Sequence, residues 1–383
     1  MNSKELLELA IERAIESGSF HVLNQIENTE NFCIWGAGDF FLSSYERLFK
    51  KRGIKIQYII DSNPNKQGNV IVDNILCISP QQLCELDNPI VLPFVYNGFK
   101  EICNFCNEKK IAWIHRSHFL LDMQDIESRD IKWFADQKNR IMQVFDLLED
   151  EDSRFVYANA IYNRIARGHE LTNYKKLYST GEYFSPEGGF NLTDKEDFID
   201  VGAFNGDTFS RFLDATHCQF DSAHLIEMST KNYNQLLQNI KKNSSEIVDK
   251  VSCYNYGAWH EKSTIYCGDE EEHSGVACSI NKGKGEFLKE EERELVCCDR
   301  LDTILKGKKV SLIKMDIEGA EVNALRGARD IIVSQHPKMS ICIYHNLRDY
   351  WEVPLLLKEM VPSYKIIVRH HSKDNGNTVC YAY

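Results

Sequence analysis

The chain has 383 residues, which at roughly 150 residues per domain predicts two or three domains, each able to bury its own core. Hydrophobic residues at 43% and charged residues at 27% exclude a long disordered chain and a collagen-like or coiled-coil one. A net charge of −12 without a visible basic patch argues against phosphate-backbone binding, so nucleic acid is not an expected partner.

The segment MNSKELLELAIERAIESGSF sets apolar residues at helical spacing among glutamates, unlike the basic start and apolar run of an export signal. A cytoplasmic protein is expected. The longest apolar stretches, Pro89–Val95 and Met339–Tyr344, fall far short of the ~20 residues a bilayer crossing needs, so no integral membrane segment is expected. Thirteen cysteines, several in apolar runs (Cys33, Cys253, Cys342, Cys380), read as reduced thiols acting as small hydrophobes.

From residue 32 to 118 short apolar runs alternate with amphipathic segments, the pattern of β-α-β units. With the preceding helix this gives a Rossmann-like nucleotide-binding-type domain over 1–120. FCIWG is its first strand, a helix runs from Phe41 to Lys51, IQYIID ends the second strand on Asp61, and PIVLPF and IAWIH are the third and fourth. Gly36 and Gly38 open the helix as in a dinucleotide-binding turn, but Phe41 stands where a third glycine is usual. Gly36, Gly38 and Asp61 are candidates for binding a nucleotide or a nucleotide-linked acceptor. The alternative is a degenerate Rossmann domain used as scaffold or oligomer contact, which leaves a homo-oligomer open. Cys103 and Cys106 have CxxC spacing on a predicted helix, with no second pair at zinc-ribbon distance, and read as core packing.

From Asp122 to about Lys176 the apolar residues fall at three- and four-residue spacing, through Ile131, Phe134, Ile141, Val144 and Phe145 to Ile161 and Ile165. This is a helical linker, taken as 121–184, broken at LLEDEDS, where Asp152 or Ser153 is expected to cap the second helix. A second α/β domain, 185–383, has strands DFIDVG, AHLIEM, VSCYNYGAW, VSLIKMD, KMSICIYH, YKIIVRHH and TVCYAY. The charged, Gly-bearing Glu270–Glu294 segment predicts a mobile hairpin or flap at an active-site rim. Cys297 and Cys298 lie side by side in the strand-like ELVCCDRLD, on opposite faces, with no chemistry assigned. The fold class is thus α/β, two Rossmann-like domains joined by a helical linker.

Three stretches of the second domain carry chemistry. In FIDVGAFNGDT an apolar strand ends in a turn where Gly202 and Gly206 permit close backbone approach and positive φ, which suits a nucleoside at the carboxyl edge of a sheet. The next strand ends on Glu227, positioned to accept both hydroxyls of a ribose. The competing explanation is a tight turn beside a surface glutamate. VSLIKMDIEGAE delivers Asp316 and Glu318 to a strand tip, and Glu321 either complements the following helix dipole or joins the site. KMSICIYHN ends on His345 and Asn346, where a neutral imidazole would act as general base unless it is a satisfied structural histidine. Asp316, Glu318 and His345 would alternatively chelate a divalent ion, although no metal ligand is assigned. Tyr178, Tyr183 and Phe184 either cover an adenine or fill core. Arg369, His370 and His371 either meet an anionic acceptor or form a solvated strand end.

FIDVGAFNGDTFSRFL, LIEMSTKNYNQLLQNI, CCDRLD, VSLIKMDIEGAEVNALRGA and YKIIVRHHSKDNGNTVCYAY, within about Ser185 to Tyr383, resemble the FkbM family of S-adenosylmethionine-dependent methyltransferases. The resemblance implies a seven-stranded class I methyltransferase sheet. It implies that Asp200, Gly202 and Gly206 bind the methionine and ribose end of S-adenosylmethionine, in a turn shared with Ala203, Asn205, Asp207 and Thr208, and that Glu227 holds the ribose diol. It also implies O-methylation of a small-molecule or glycan acceptor, at a hydroxyl of a sugar, nucleotide sugar or glycan, as in polysaccharide biosynthesis. A sugar hydroxyl is a poor nucleophile until deprotonated, and His345 is the first choice for the base, Asp316 the second. Two other functions are carried: a nicotinamide-dependent sugar oxidoreductase acting through the first domain, and a non-catalytic nucleotide- or cofactor-binding module.

Overall fold

The apolar runs named above all form strands in the computed structural model, which describes residues 2–17, 21–124, 129–165, 174–268, 293–373 and 376–383. The chain divides into two units, Leu7–Gln137 with Tyr162–Thr172, and Met1–Leu6 with Lys138–Ile161 and Asn173–Tyr383.

The first unit holds β1 (Phe32–Trp35), β2 (Tyr58–Ile60), β3 (Val70–Val72), β4 (Ile75–Ile78), β5 (Ile90–Pro93) and β6 (Ala112–Trp113). They form one sheet in the order β3-β4-β2-β1-β5-β6, parallel except for the β3–β4 hairpin. That hairpin was not expected. It turns on Asp73 and Asn74, both at positive φ, the conformation a two-residue hairpin loop needs. After β1 the helix Asp39–Tyr45 continues into a π-helical turn over Glu46–Lys50. Phe41, in place of the third glycine, is fully buried against the Phe49 and Phe94 rings. Cys103 and Cys106 are buried on the helix Phe99–Glu108, as core packing requires.

The helices Lys138–Leu147 and Glu151–Ile165 flank the acidic break. Their cap is Asp150 rather than Asp152 or Ser153: its Oδ1 accepts the Ser153 N–H at 2.7 Å. Ser153 Oγ is engaged elsewhere, accepting from the Val368 N–H.

The second unit is built on β7 (Asp197–Val201), β8 (Ser222–Ile226), β9 (Val251–Tyr254), β10 (Gly257–Ala258), β11 (Ser263–Gly268), β12 (Arg293–Asp299), β13 (Leu312–Met315), β14 (Lys338–Cys342), β15 (Ile366–His370) and β16 (Thr378–Ala382). Seven of them form a sheet ordered β15-β16-β14-β13-β7-β8-β9, parallel except where β16 pairs with β14 and β15. The chain leaves β7 for β8 on one side and returns as β13 on the other. This reversal opens a crevice at the carboxyl ends of β7 and β13. Beneath it Phe198 stacks on Phe212 at 4.4 Å between ring centres, within a core that includes Phe209 and Phe220.

VSCYNYGAW is two strands, not one. Asn255 donates to the carbonyls of Glu227 and Met228, turning the chain, and β10 then pairs with β12 in a small sheet ordered β10-β12-β11. Of the Glu270–Glu294 segment, residues 270–292 lie outside the described residues, and Arg293 and Glu294 begin β12. Cys298 is buried and Cys297 exposed, opposite faces of β12. Among the described residues no helix is long and apolar enough to cross a membrane.

Candidate active site at the carboxyl edge of the second sheet

The turn after β7 depends on two glycines. Gly202 has φ +80°, and a Cβ there would lie 2.0 Å from the Asp316 carbonyl oxygen, so only glycine lets the tips of β7 and β13 sit this close. Gly206, at φ +90°, opens the helix Asp207–Ala215, and Asn205 Oδ1 accepts the Asp207 N–H. The amides of Gly202 and Ala203 both donate to the Ile226 carbonyl, tying the turn to the end of β8. One residue further along lies Glu227. Its Oε2 accepts the Phe204 N–H and its Oε1 the Ser229 N–H, each at 2.8 Å. Burial pushes this carboxyl up to about 6, against the stabilising pull of the Ser229 and Phe204 amides.

These tips enclose a cleft of about 370 Å³, lined by Gly202, Phe204, Asp207, Thr208 and Glu227 from the first two strands and by Asp316 and Glu318 from the third. Ala203, Asn205 and Gly206 shape the turn without lining the cleft. Asp200 does not line it either. Its carboxylate is buried in an ion pair with Lys314 at 3.0 Å, and Lys314 Nζ also donates to the Gly202 carbonyl at 2.8 Å. Burial pushes Asp200 up to about 6 although Lys314 opposes the shift. Burial likewise disfavours the Lys314 ammonium, but Asp200 and Asp316 more than offset this and raise it above the usual lysine range. Lys314 was overlooked in the sequence, where the signal was a lone cation inside the apolar run VSLIKM.

Asp316 follows β13 directly. The hydroxyls of Tyr183 and Tyr344 donate to its two oxygens at 3.2 Å each, and His345 Nε2 stands 3.4 Å away. Burial alone would raise this carboxyl, but His345 and Lys314 hold it below the usual range. Tyr183 thus borders the cleft, while Phe184 is core and Tyr178 is exposed.

His345 departs from expectation. It is 3% exposed and does not line the cleft. Glu321 Oε1 lies 3.0 Å from its Nδ1, and Glu318 Oε2 lies 3.6 Å from its Nε2. Burial disfavours the charged ring, yet Glu321 and Glu318 overcome this and push it up to about 10. Without a cation beside it the ring is an imidazolium at neutral pH, not the neutral imidazole that a general base requires. Glu321, fully buried, also accepts the Ile317 N–H at 2.9 Å, so it both caps its turn and braces the histidine.

The remaining expected residues lie elsewhere. Arg369, His370 and His371 are buried, not a solvated patch: Arg369 pairs with Asp150 at 2.7 Å, and His371 bridges the Ser179 carbonyl and the Tyr381 hydroxyl. In the other unit Gly36 has φ +127°, and a Cβ there would meet the Phe94 carbonyl at 2.7 Å, so strand packing already requires this glycine. Gly38 precedes the helix Asp39–Tyr45 at an ordinary negative φ. Asp61 accepts from the Ala37 and Asn63 amides and from Lys66 Nζ.

A seven-stranded, mainly parallel sheet with a glycine turn, a braced acid at the next strand tip and a cleft over both defines the second unit as a methyltransferase-type α/β fold. Residues 200–366 match the family model of the methyltransferase FkbM domain. The protein is a methyltransferase. No curated protein matches the chain. Among solved structures, methyltransferase FkbM from Methylobacillus flagellatus KT is 18% identical with a TM-score of 0.70, over 98% of this chain and 99% of that one, a likeness of fold. Fibrillarin from Aeropyrum pernix, solved with natively bound S-adenosylmethionine, is 14% identical over 51% of this chain and 70% of that one, at a TM-score of 0.32 that carries no weight here.

The residues present fit an adenosyl cofactor. The volume lies within the ~300–1,000 Å³ of small-molecule sites. Each Glu227 oxygen spends one lone pair on a backbone amide and keeps another for a hydroxyl.

Proposed function

We propose that the cleft binds S-adenosylmethionine and that the protein methylates a hydroxyl of a sugar, nucleotide sugar or glycan. The observation that carries this reading is that one cleft is lined by both Glu227, the braced acid beside the glycine turn, and Asp316. Glu227 would accept the ribose hydroxyls, and the Gly202–Thr208 turn would hold the adenosyl and methionine portion. The cofactor supplies a methyl group on a sulfonium, which leaves as a neutral thioether when the acceptor oxygen takes the methyl.

Asp316 is the residue that receives the acceptor proton. It lines the cleft, and His345 Nε2 stands 3.4 Å from its Oδ1. The Tyr183 and Tyr344 hydroxyls fix the carboxylate plane from both sides, so the base is oriented before the acceptor arrives. His345, beyond the cleft wall, acts through Asp316 and is a positioning residue. Glu318 stands at the rim of the same wall.

Incubation with methyl-labelled S-adenosylmethionine and a panel of nucleotide sugars and glycans tests the reading. Label should appear as a methyl ether on an acceptor hydroxyl. Asp316→Asn should lower turnover by about 10²- to 10⁴-fold, the usual worth of a general base, with cofactor affinity nearly unchanged. Label on no hydroxyl, or Asp316→Asn within twofold of the parent, would reject it.

A further inference from the structure

Four groups with negative charge or a lone pair, Asp316, Glu318, Glu321 and His345, converge at the cleft wall. His345 Nε2 faces Asp316 Oδ1 at 3.4 Å and Glu318 Oε2 at 3.6 Å, and although the histidine is 3% exposed neither ring nitrogen meets hydrogen-bond geometry. Its other nitrogen lies 3.0 Å from Glu321 Oε1, and that oxygen is itself fixed by the Ile317 N–H. The donor atoms of Asp316, Glu321 and His345 lie within 4.8 Å of one another.

A buried ring nitrogen aimed between two carboxylates needs positive charge at that point, either its own proton or a cation. The two distances about Nε2, 3.4 Å to Asp316 and 3.6 Å to Glu318, suit the cation. Ligand atoms ~2.1 Å from a tetrahedral ion stand ~3.4 Å apart. Metal-bound histidines also characteristically give their second N–H to a carboxylate that fixes the ring, and Glu321 occupies that position on Nδ1. Glu318 sits at φ +56° in the strand-to-helix turn, which brings its side chain to the cleft mouth beside Asp316.

We propose that Asp316, Glu318 and His345 Nε2 bind a divalent first-row transition cation, with Glu321 orienting the histidine and the acceptor hydroxyl as a further ligand. Mixed imidazole and carboxylate donors favour manganese, iron or zinc over magnesium or calcium. Coordination would make the acceptor hydroxyl more acidic, its proton still passing to Asp316, at Oδ2, the oxygen that does not face His345 Nε2. The inference rests on the methyl-transfer reading and adds to it what activates the acceptor.

Titrating the full chain with Mn²⁺ alone, followed by electron paramagnetic resonance and calorimetry, tests it without any turnover. One Mn²⁺ should bind per chain. Asp316→Asn should abolish that binding, and Glu318→Gln should weaken it at least tenfold. Glu321→Gln should weaken it about 10- to 100-fold, as loss of an orienting carboxylate does elsewhere. S-adenosylmethionine affinity, measured on the same samples, should be kept in all three and so reports that they fold. Absent Mn²⁺ binding, or equal binding by Asp316→Asn, overturns the cation site. If cofactor binding persists in that case, the methyl-transfer reading survives, with Nε2 carrying a proton instead.

Discussion

Glu227 gains its significance from two backbone amides. Because each oxygen accepts one N–H, the carboxylate is oriented before any ligand enters, and its burial raises it to about 6. A carboxylate that accepts hydroxyls loses that capacity on protonation, so S-adenosylmethionine should bind with a constant Kd above pH 7. As pH falls below about 6, binding should weaken toward tenfold per unit. Glu227→Gln should remove this dependence, and calorimetry across pH 5–8 checks it; a flat profile in the parent would remove Glu227 from the contact. Lys314 is the second residue on which the turn depends. Lys314→Met leaves Asp200 buried without a partner, which typically costs about 3–5 kcal/mol, readable as a lower denaturant midpoint. Strand tips made the acids visible in the sequence: Asp316, Glu318 and Glu227 all reach the cleft. The charge state of His345 was not visible, since it depends on three carboxylates of the segment 316–321 that the sheet brings around a ring at the end of the next strand. Asp200 misled for a related reason, because its partner comes from a strand far along the sequence.

Between elements, the close approach of β7 to β13 is set by one hydrogen atom. Gly202→Ala would drive a Cβ to within 2.0 Å of the Asp316 carbonyl, so it should separate the two tips and destroy cofactor binding while leaving the more distant strands intact. Loss of binding with a retained circular-dichroism spectrum is the expected outcome, and unaltered affinity would contradict it. The carboxyl-terminal strands carry a different signature. Burial holds His371 down at about 4, and the Ser179 carbonyl only partly counters this. The unfolded ring takes up its proton near pH 6.5, so between these values the unfolded state binds more protons and stability falls as pH drops, by up to ~1.4 kcal/mol per unit. His371→Gln should flatten that part of a denaturation-versus-pH curve. At this scale the sequence was informative wherever apolar runs were long enough to stand out. It failed at β3 and β4, where Asp73 and Asn74 turn the chain between runs of only three and four residues, and at Asp150, whose capping role is clear only once its partners Ser153 and Arg369 are in place.

Taken whole, the molecule is two α/β units whose sheets read from the same alternation of apolar runs and amphipathic helices. The second was legible further because its motifs fall at strand tips, where topology brings distant segments to one edge. The first was legible only as a fold: Gly36 and Asp61, which resemble a nucleotide turn, are each engaged by the unit's own backbone and Lys66. One calorimetric titration bears most directly on the central claim, that the cleft over β7 and β8 is a seat for S-adenosylmethionine. The parent should bind a single equivalent, and Glu227→Ala should bind at least tenfold more weakly. No binding by the folded parent, or equal affinity in Glu227→Ala, would contradict it.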